Sequence, residues 1–290
     1  MLPADPPHGR DELSPLVEIV EERVGASNRK YGVRLRDAAQ VEAVLYRGDS
    51  LCISSQVGCA VGCPFCASGA NGFGRNLSAE EMHAQVSAVL ERGAQVERIT
   101  ISGVGEPLHN HRAVARFIEE SHAQGRTVSL TSSGGPLPRL AEAFEWPHRG
   151  LSLSIHAGTE AVRAKSVPRG PALDPLFAKL RELLPRASER RRRHLALAYL
   201  LLPGLNDHPE EIDAFIDRVR NLGIKIHLYA YNPVPTSSQT RASDDHYQAV
   251  YRYMRSEGLE VRRSSQARIE ANGGCGTLVA IKARSAAGSR

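Results

Sequence analysis

The sequence predicts an α/β protein, an incomplete barrel of about six βα units with a short extension at each end. Three observations predict it. Strand-like and helix-like segments alternate from about residue 51 to residue 263, an order that calls for parallel strands joined by helical crossovers. The segments with unusual chemistry follow strand-like runs, where barrels of this kind gather their active groups. No internal repeat and no separate second domain is visible in the 290 residues.

Each element has its own justification. Residues 1–15 hold four prolines and few apolar positions, and read as a flexible lead. Residues 16–51 form a short extension, 52–282 the core, and 283–290 a frayed tail. Leu51–Ser55 is strand-like. Ser78–Arg92 reads as a helix, with Met82, Val86, Val89 and Leu90 on one face. Ser78 and Glu81 form a capping box at its start, and Gly93 can stop it. Strands at Arg98–Ser102, Thr127–Thr131, Leu151–Ile155, His194–Leu202 and Ile224–Tyr231 alternate with helices at His111–Gln124, Leu137–Phe144, Glu160–Lys165, Asp174–Leu184 and Glu210–Leu222. Asp244–Glu257 is a further helix. Leu259–Arg263 and Thr277–Ile281 are late strands.

The chemistry is concentrated in Cys59-Ala-Val-Gly-Cys-Pro-Phe-Cys66. Three thiolates on one short loop can hold a cubane iron–sulfur cluster and leave its fourth iron open to a small molecule. The competing reading is a zinc knuckle that borrows a distant His. Gly103-Val-Gly-Glu-Pro107 follows a strand directly. Its glycines let backbone approach a ligand, and Glu106 offers an acceptor. Three other strand ends, Thr131-Ser-Ser-Gly134, Ser154-Ile-His156 and Tyr231-Asn-Pro233, offer hydroxyl, imidazole and amide groups. Ordinary turn chemistry would look the same.

Cys52 sits in an apolar strand, where a free cysteine is as often a small buried hydrophobe. Cys275 lies among glycines with little to bury it against, which suits a nucleophile or carrier. Glu42 lies in the alternating segment Val41–Tyr46. Most such acids mark the solvent face of an edge strand. Arg190-Arg-Arg-Arg-His194 and Arg262-Arg263 are either a solvated loop or a grip on RNA phosphates.

Composition sets bounds. With 41% hydrophobic residues the chain can bury a substantial core. No apolar run approaches the roughly 20 residues that cross a bilayer, and the first residues lack a signal pattern. A cytoplasmic location is expected, with no membrane association. The odd cysteine count of five argues against a disulfide framework. A net charge of +5 permits nucleic-acid binding without demanding it.

Together these residues resemble the RlmN/Cfr family of radical S-adenosylmethionine (SAM) RNA adenine methyltransferases. The signature-like runs are Leu51–Cys66, Gly72-Phe-Gly-Arg-Asn-Leu77, Gly105-Glu-Pro-Leu108, Ser152–Ala157, Tyr231-Asn-Pro233 and Cys275-Gly-Thr-Leu278. The match runs from about residue 40 to residue 282.

The resemblance implies a partial (βα)6 radical SAM barrel with one 4Fe–4S cluster on Cys59, Cys63 and Cys66. It implies a SAM site lined by Gly105, Glu106, Thr131, Ser154, Ile155, His156 and Asn232. Cys275 would be the methyl carrier, Cys52 the resolving thiol in a transient disulfide bond, and Glu42 the proton acceptor. Two SAM molecules would be used per turnover. The partners implied are a ribosomal or transfer RNA substrate and an electron donor such as flavodoxin or ferredoxin, with the enzyme a monomer.

The chain departs from the family pattern in places. Only 51 residues precede Cys52, so the helical accessory domain is expected to be missing or reduced. Gly273-Gly274 stand where the family commonly has alanines, Thr277 where it has Gln, and Thr131 where a SAM-binding Ser is usual. Two alternatives stay open. A radical SAM enzyme acting on a protein or peptide would give Cys52 and Cys275 no role. A zinc-bearing RNA-binding module would give the Gly-Glu-Pro turn none.

Overall fold

The computed structural model describes residues 15–270 and residue 273. Its main sheet has ten strands. Strands β1 (Val17–Val24), β2 (Asn28–Leu35) and β3 (Gln40–Tyr46) form an antiparallel meander. The meander joins β4 (Ser50–Ile53), which is followed by a small ribbon of β5 (Gln56–Gly58) and β6 (Phe73–Asn76). From β4 onward the sheet is parallel, through β7 (Arg98–Ile101), β8 (Thr127–Ser132), β9 (Gly150–Ser154), β10 (Leu195–Leu201), β11 (Lys225–Ala230) and β12 (Val261–Arg263).

Six helical crossovers connect these seven parallel strands. The helices are α1 (Ala79–Leu90), α2 (His111–Ala123), α3 (Leu137–Glu145), α4 (Glu160–Ser166), α5 (Leu173–Leu183), α6 (Glu189–Arg193), α7 (Pro209–Val219), α8 (Asp244–Ser256) and the short α9 (Gln266–Ile269). The expected α/β partial barrel is therefore the fold. The capping box of Ser78 and Glu81 starts α1 as the sequence predicts. No helix among the described residues is long and apolar enough to cross a membrane.

The two sheet faces differ sharply. Leu51, Ile53, Ile99, Ile101, Val128, Leu130, Leu151, Leu153, Leu197 and Ile226 point outward and are buried under the helices. Register places Cys52, Thr100, Ser129, Thr131, Ser152, Ser154, Ala196, Ala198 and His227 on the inner face. That face is concave. Tyr46 on β3 and Tyr229 on β11 line one cavity, although six strand steps would hold them roughly 29 Å apart in a flat sheet.

Residues 16–51, the expected short extension, add β1–β3 to the main sheet. Two expectations need correction. The segment Val41–Tyr46 is not an edge strand; β3 is paired on both sides, and Glu42 is buried. The run of arginines before β10 is not a plain loop but the helix α6, capped by Ser188. The expected strand Thr277–Ile281, the tail 283–290 and Cys275 lie outside the described residues.

Candidate active site

A cavity of about 290 Å³ opens at the carboxyl ends of the parallel strands. The three clustered cysteines form one end of it. Their loop is closed at its base by β5 and β6, where the Cys59 N–H donates to the carbonyl of Gly72 at 2.9 Å. Gly58 cannot be replaced there. Its φ is +72°, and a Cβ would lie 2.0 Å from the Gly72 oxygen. At the other end of the loop the Cys66 N–H donates to the Cys63 carbonyl at 3.1 Å. Phe65 anchors the loop to the far wall: its carbonyl accepts from the Tyr231 hydroxyl at 3.0 Å, and its ring meets His156 edge-on at 5.4 Å.

The donor set fits an iron–sulfur cluster. Burial pushes the Cys59 thiol up to about 12. Burial and the two neighbouring sulfurs push Cys63 well above its ordinary value. Neighbouring thiols held up in this way ionise together only around a strong positive charge, which bound metal supplies.

Glu106 faces the thiols across the cavity floor. One carboxylate oxygen accepts from the Ser132 hydroxyl at 2.6 Å and the Leu108 N–H at 3.1 Å; the other accepts from the Ser133 N–H at 2.7 Å. The acceptor is thereby fixed before any ligand arrives. The flanking glycines, which line the cavity, have a packing reason as well. A Cβ on Gly103 would lie 2.7 Å from the Ile53 carbonyl, and one on Gly105 would lie 2.7 Å from the Gln56 side chain. They let the turn dock against the segment leading into the cysteine loop.

Below the floor lies Arg163, which the sequence reading missed. It is fully buried, and its guanidinium donates to the carbonyls of Ser133, Ser154, Ile155 and Pro171 at 2.6–3.0 Å. It ties the ends of β8 and β9 together. Burial lowers its pKa to about 10, against the pull of Cys63 and Glu106. Nothing in the segment Glu160–Ser166 announces this; only the four convergent carbonyls do.

His156 is neutral. Burial, with Arg163 nearby, lowers its pKa to about 3. Its Nδ1 accepts from the Leu200 N–H at 3.0 Å, so the proton resides on Nε2. Gly105, Glu106, Thr131, Ser154, His156 and Asn232 all line the cavity. Ile155 does not; its side chain sits in the main core. Asn232 also ties down the last described segment, donating to the Glu270 carbonyl at 2.9 Å.

That segment crosses from β12 to the opposite wall. Arg241 donates to the Ile269 carbonyl, Asn28 to that of Ala267, and the Ser27 hydroxyl to the Glu270 carboxylate. The Tyr46 hydroxyl donates to the carbonyl of Gly273 at 2.7 Å, and Gly273 lines the cavity. Cys52 packs with Tyr46 on the same wall, and its sulfur lies 3.1 Å from the Ser102 hydroxyl. Glu42 lies farther along β3, outside the cavity lining, in a buried ion pair with Lys30 at 3.3 Å.

This arrangement matches known proteins. A family model described as the radical SAM superfamily matches residues 53–225. A probable RNA methyltransferase from Aromatoleum aromaticum is 33% identical over 273 residues, which cover 92% of this chain and 76% of the relative. A dual-specificity RNA methyltransferase RlmN from Syntrophobacter fumaroxidans is 34% identical, over 93% of this chain and 81% of the relative. The crystal structure of a radical SAM methyltransferase from Sphaerobacter thermophilus matches with a TM-score of 0.79 at 29% identity, covering 90% of this chain and 81% of that one. The cysteine loop, the sheet that carries it and these relatives together establish that the chain belongs to the radical SAM superfamily and, within it, to the RlmN/Cfr family of methyltransferases.

Proposed function

We propose that this enzyme methylates carbon 2 or carbon 8 of an adenosine in RNA, with Cys275 carrying the methyl group as S-methylcysteine. The observation that carries the reading is a convergence on one cavity. The three cluster thiols, Glu106 and Gly273, two residues before Cys275, all line it, and Tyr46 joins Gly273 to the wall that holds Cys52.

Cys59, Cys63 and Cys66 would hold a 4Fe–4S cluster, which together with SAM would supply the one-electron chemistry that an unactivated ring carbon requires. The chain's own residues do the rest. Glu106 holds the SAM ammonium, and His156 offers its Nε2–H to an oxygen of the bound nucleoside. Thr131 and Ser154 add hydroxyl groups on the same floor. Cys275 takes a methyl group from one SAM and delivers its carbon to the adenine, with a second SAM consumed in the same turnover. Glu42 or Cys52 removes the ring proton. The Cys52 thiolate then attacks the carrier sulfur, forming a transient disulfide as the methylated base leaves. The target base is unstacked or already in a loop. The relatives named as RNA methyltransferases support RNA as the substrate. A flavodoxin- or ferredoxin-type donor, a monomeric state and a cytoplasmic location complete the proposal.

Mass spectrometry of nucleosides from cells with and without the gene tests it. Loss of 2-methyl- or 8-methyladenosine on deletion is expected. Cys275→Ala should make neither product, and Cys52→Ala should accumulate a protein–RNA adduct, seen by intact mass after nuclease digestion. Unchanged nucleosides, together with normal turnover by Cys52→Ala, would favour a radical SAM enzyme acting on a substrate other than RNA.

A further inference from the structure

A second cavity, of about 490 Å³, lies at the opposite end of the sheet, where β8, β9 and β10 begin. Its lining includes Arg126 from the entry to β8, His148 and Arg149 from the entry to β9, and Arg190, Arg191 and His194 from the entry to β10. No Asp or Glu lines it. Elsewhere on this protein arginines meet carboxylates: Arg75 pairs with Asp37 and Glu81, Arg116 with Glu80 and Glu120, Arg220 with Asp217 and Glu257. Among the described residues Arg126, Arg149 and Arg190 make no ion pair and no side-chain hydrogen bond.

A bland explanation covers part of this. Helices end at this side of a βα sheet, and basic side chains there satisfy helix carboxyl ends. Arg191 does so, donating to the carbonyl of Trp146, the residue that caps α3, at 2.8 Å. The other three arginines make no such bond. They come from three separate chain segments, yet they face one hollow. His194 feels this field: burial and then Arg149, Lys225, Arg190 and Arg193 lower its pKa, while at His148 burial and then Arg191 lower it to about 4.

We infer that this cavity is an anion site for a phosphate-bearing ligand, gripped by Arg126, Arg149 and Arg190. Guanidinium groups bind phosphate oxygens in paired hydrogen bonds, and their charge does not titrate away. The volume lies in the range of small-molecule sites, enough for a di- or triphosphate group. The six residues of β8 put this site roughly 20 Å from the thiol cavity, so the ligand would bind without entering the catalytic centre. The chemistry has two possible sources, the backbone phosphates of an RNA or a free nucleotide polyphosphate.

The test uses the cluster-loaded full chain and two probes. Inorganic tripolyphosphate is titrated calorimetrically, and a fluorescent RNA hairpin is titrated by anisotropy at several salt concentrations. Arg126→Gln with Arg190→Gln should weaken tripolyphosphate binding at least tenfold, with Arg149→Gln as a second, single variant. Arg181→Gln with Arg252→Gln removes the same charge from α5 and α8 and should leave the affinity within twofold. Thermal melts of all variants establish that each is folded. If RNA affinity falls in parallel, and its log–log salt slope shrinks by about 1.5–2 in the cavity variant only, RNA phosphates fill the site. If RNA binding is unchanged while tripolyphosphate is lost, the occupant is a free polyphosphate. Equal losses in the cavity and control variants, or no tripolyphosphate binding by the parent chain, would overturn the site.

Discussion

The two ends of the parallel strands carry charge in opposite ways. At the carboxyl ends the buried charges are matched: Glu106 accepts from Ser132, Ser133 and Leu108, and Arg163 donates to four carbonyls. At the amino ends Arg126, Arg149 and Arg190 surround a cavity with no carboxylate in its lining. A matched group has its position settled before a ligand arrives, which is what chemistry at defined atoms needs. An unmatched group keeps its attraction for whatever ligand comes, which is what capture of an anion needs. One sheet therefore separates positioning from attraction by the length of its strands.

The largest effect expected is at the matched end. Cys59→Ala, Cys63→Ala or Cys66→Ala should each abolish the brown colour of anaerobically purified protein and all SAM cleavage. The parent should carry about four irons per chain, as one cubane requires. A colourless parent with one zinc per chain would remove the basis for calling this end catalytic.

The next two substitutions ask whether matching fixes structure or binds ligand. Arg163→Met leaves four buried carbonyls without their donor. A loss on the order of 3–5 kcal/mol in stability is expected, measured by urea unfolding of the apoprotein. Glu106→Gln keeps a carbonyl acceptor and removes the charge. It should cost SAM affinity by about 1.5–3 kcal/mol, or roughly 10- to 150-fold, with iron content intact. An Arg163→Met chain as stable as its parent, or a Glu106→Gln chain with unchanged SAM affinity, would show that the matched pattern is not what organises this floor.

The parts of the molecule legible in sequence are those where one residue type has one reason. The outward Leu, Ile and Val of β7–β10 are buried under amphipathic helices, and the period of each segment gives it away. The cysteine loop is legible because few other uses require three thiols so close. The inner face is where reading fails. Lys30 and Glu42 look like solvent-facing residues of weak strands, but they neutralise each other inside the wall, each 1% exposed. That hides β2 and disguises β3 as an edge. Arg163 is invisible for a related reason. Its partners are backbone carbonyls from three separate segments, and carbonyls carry no sequence signal. The glycines of the Gly-Val-Gly turn are legible as special, but their close packing on Ile53 and Gln56 is not.

The smallest effect tests the unmatched end through its own histidine. His148 lies between α3 and β9; its Nε2–H donates to the Ala143 carbonyl at 3.0 Å. Burial, and then Arg191, lower its pKa to about 4, so the folded protein keeps it neutral. The unfolded chain protonates it at the ordinary value near 6.5. Between those values the unfolded state binds more protons than the folded one. His148 therefore costs nothing above pH 6.5, and lowers stability progressively as pH falls towards 4, by up to about 1.4 kcal/mol per pH unit. His148→Gln keeps a donor for Ala143 and cannot take a proton. Urea unfolding at pH 7.5, 6, 5 and 4.5 should give the parent and the variant parallel values above 6.5 and a shallower acid decline for the variant. A bound phosphate ligand would bring negative charge among Arg126, Arg149 and Arg190, raise the His148 pKa and flatten the parent's decline towards the variant's. Tripolyphosphate that leaves both slopes unchanged would separate the histidine from the arginines and remove the shared field from the account of this end.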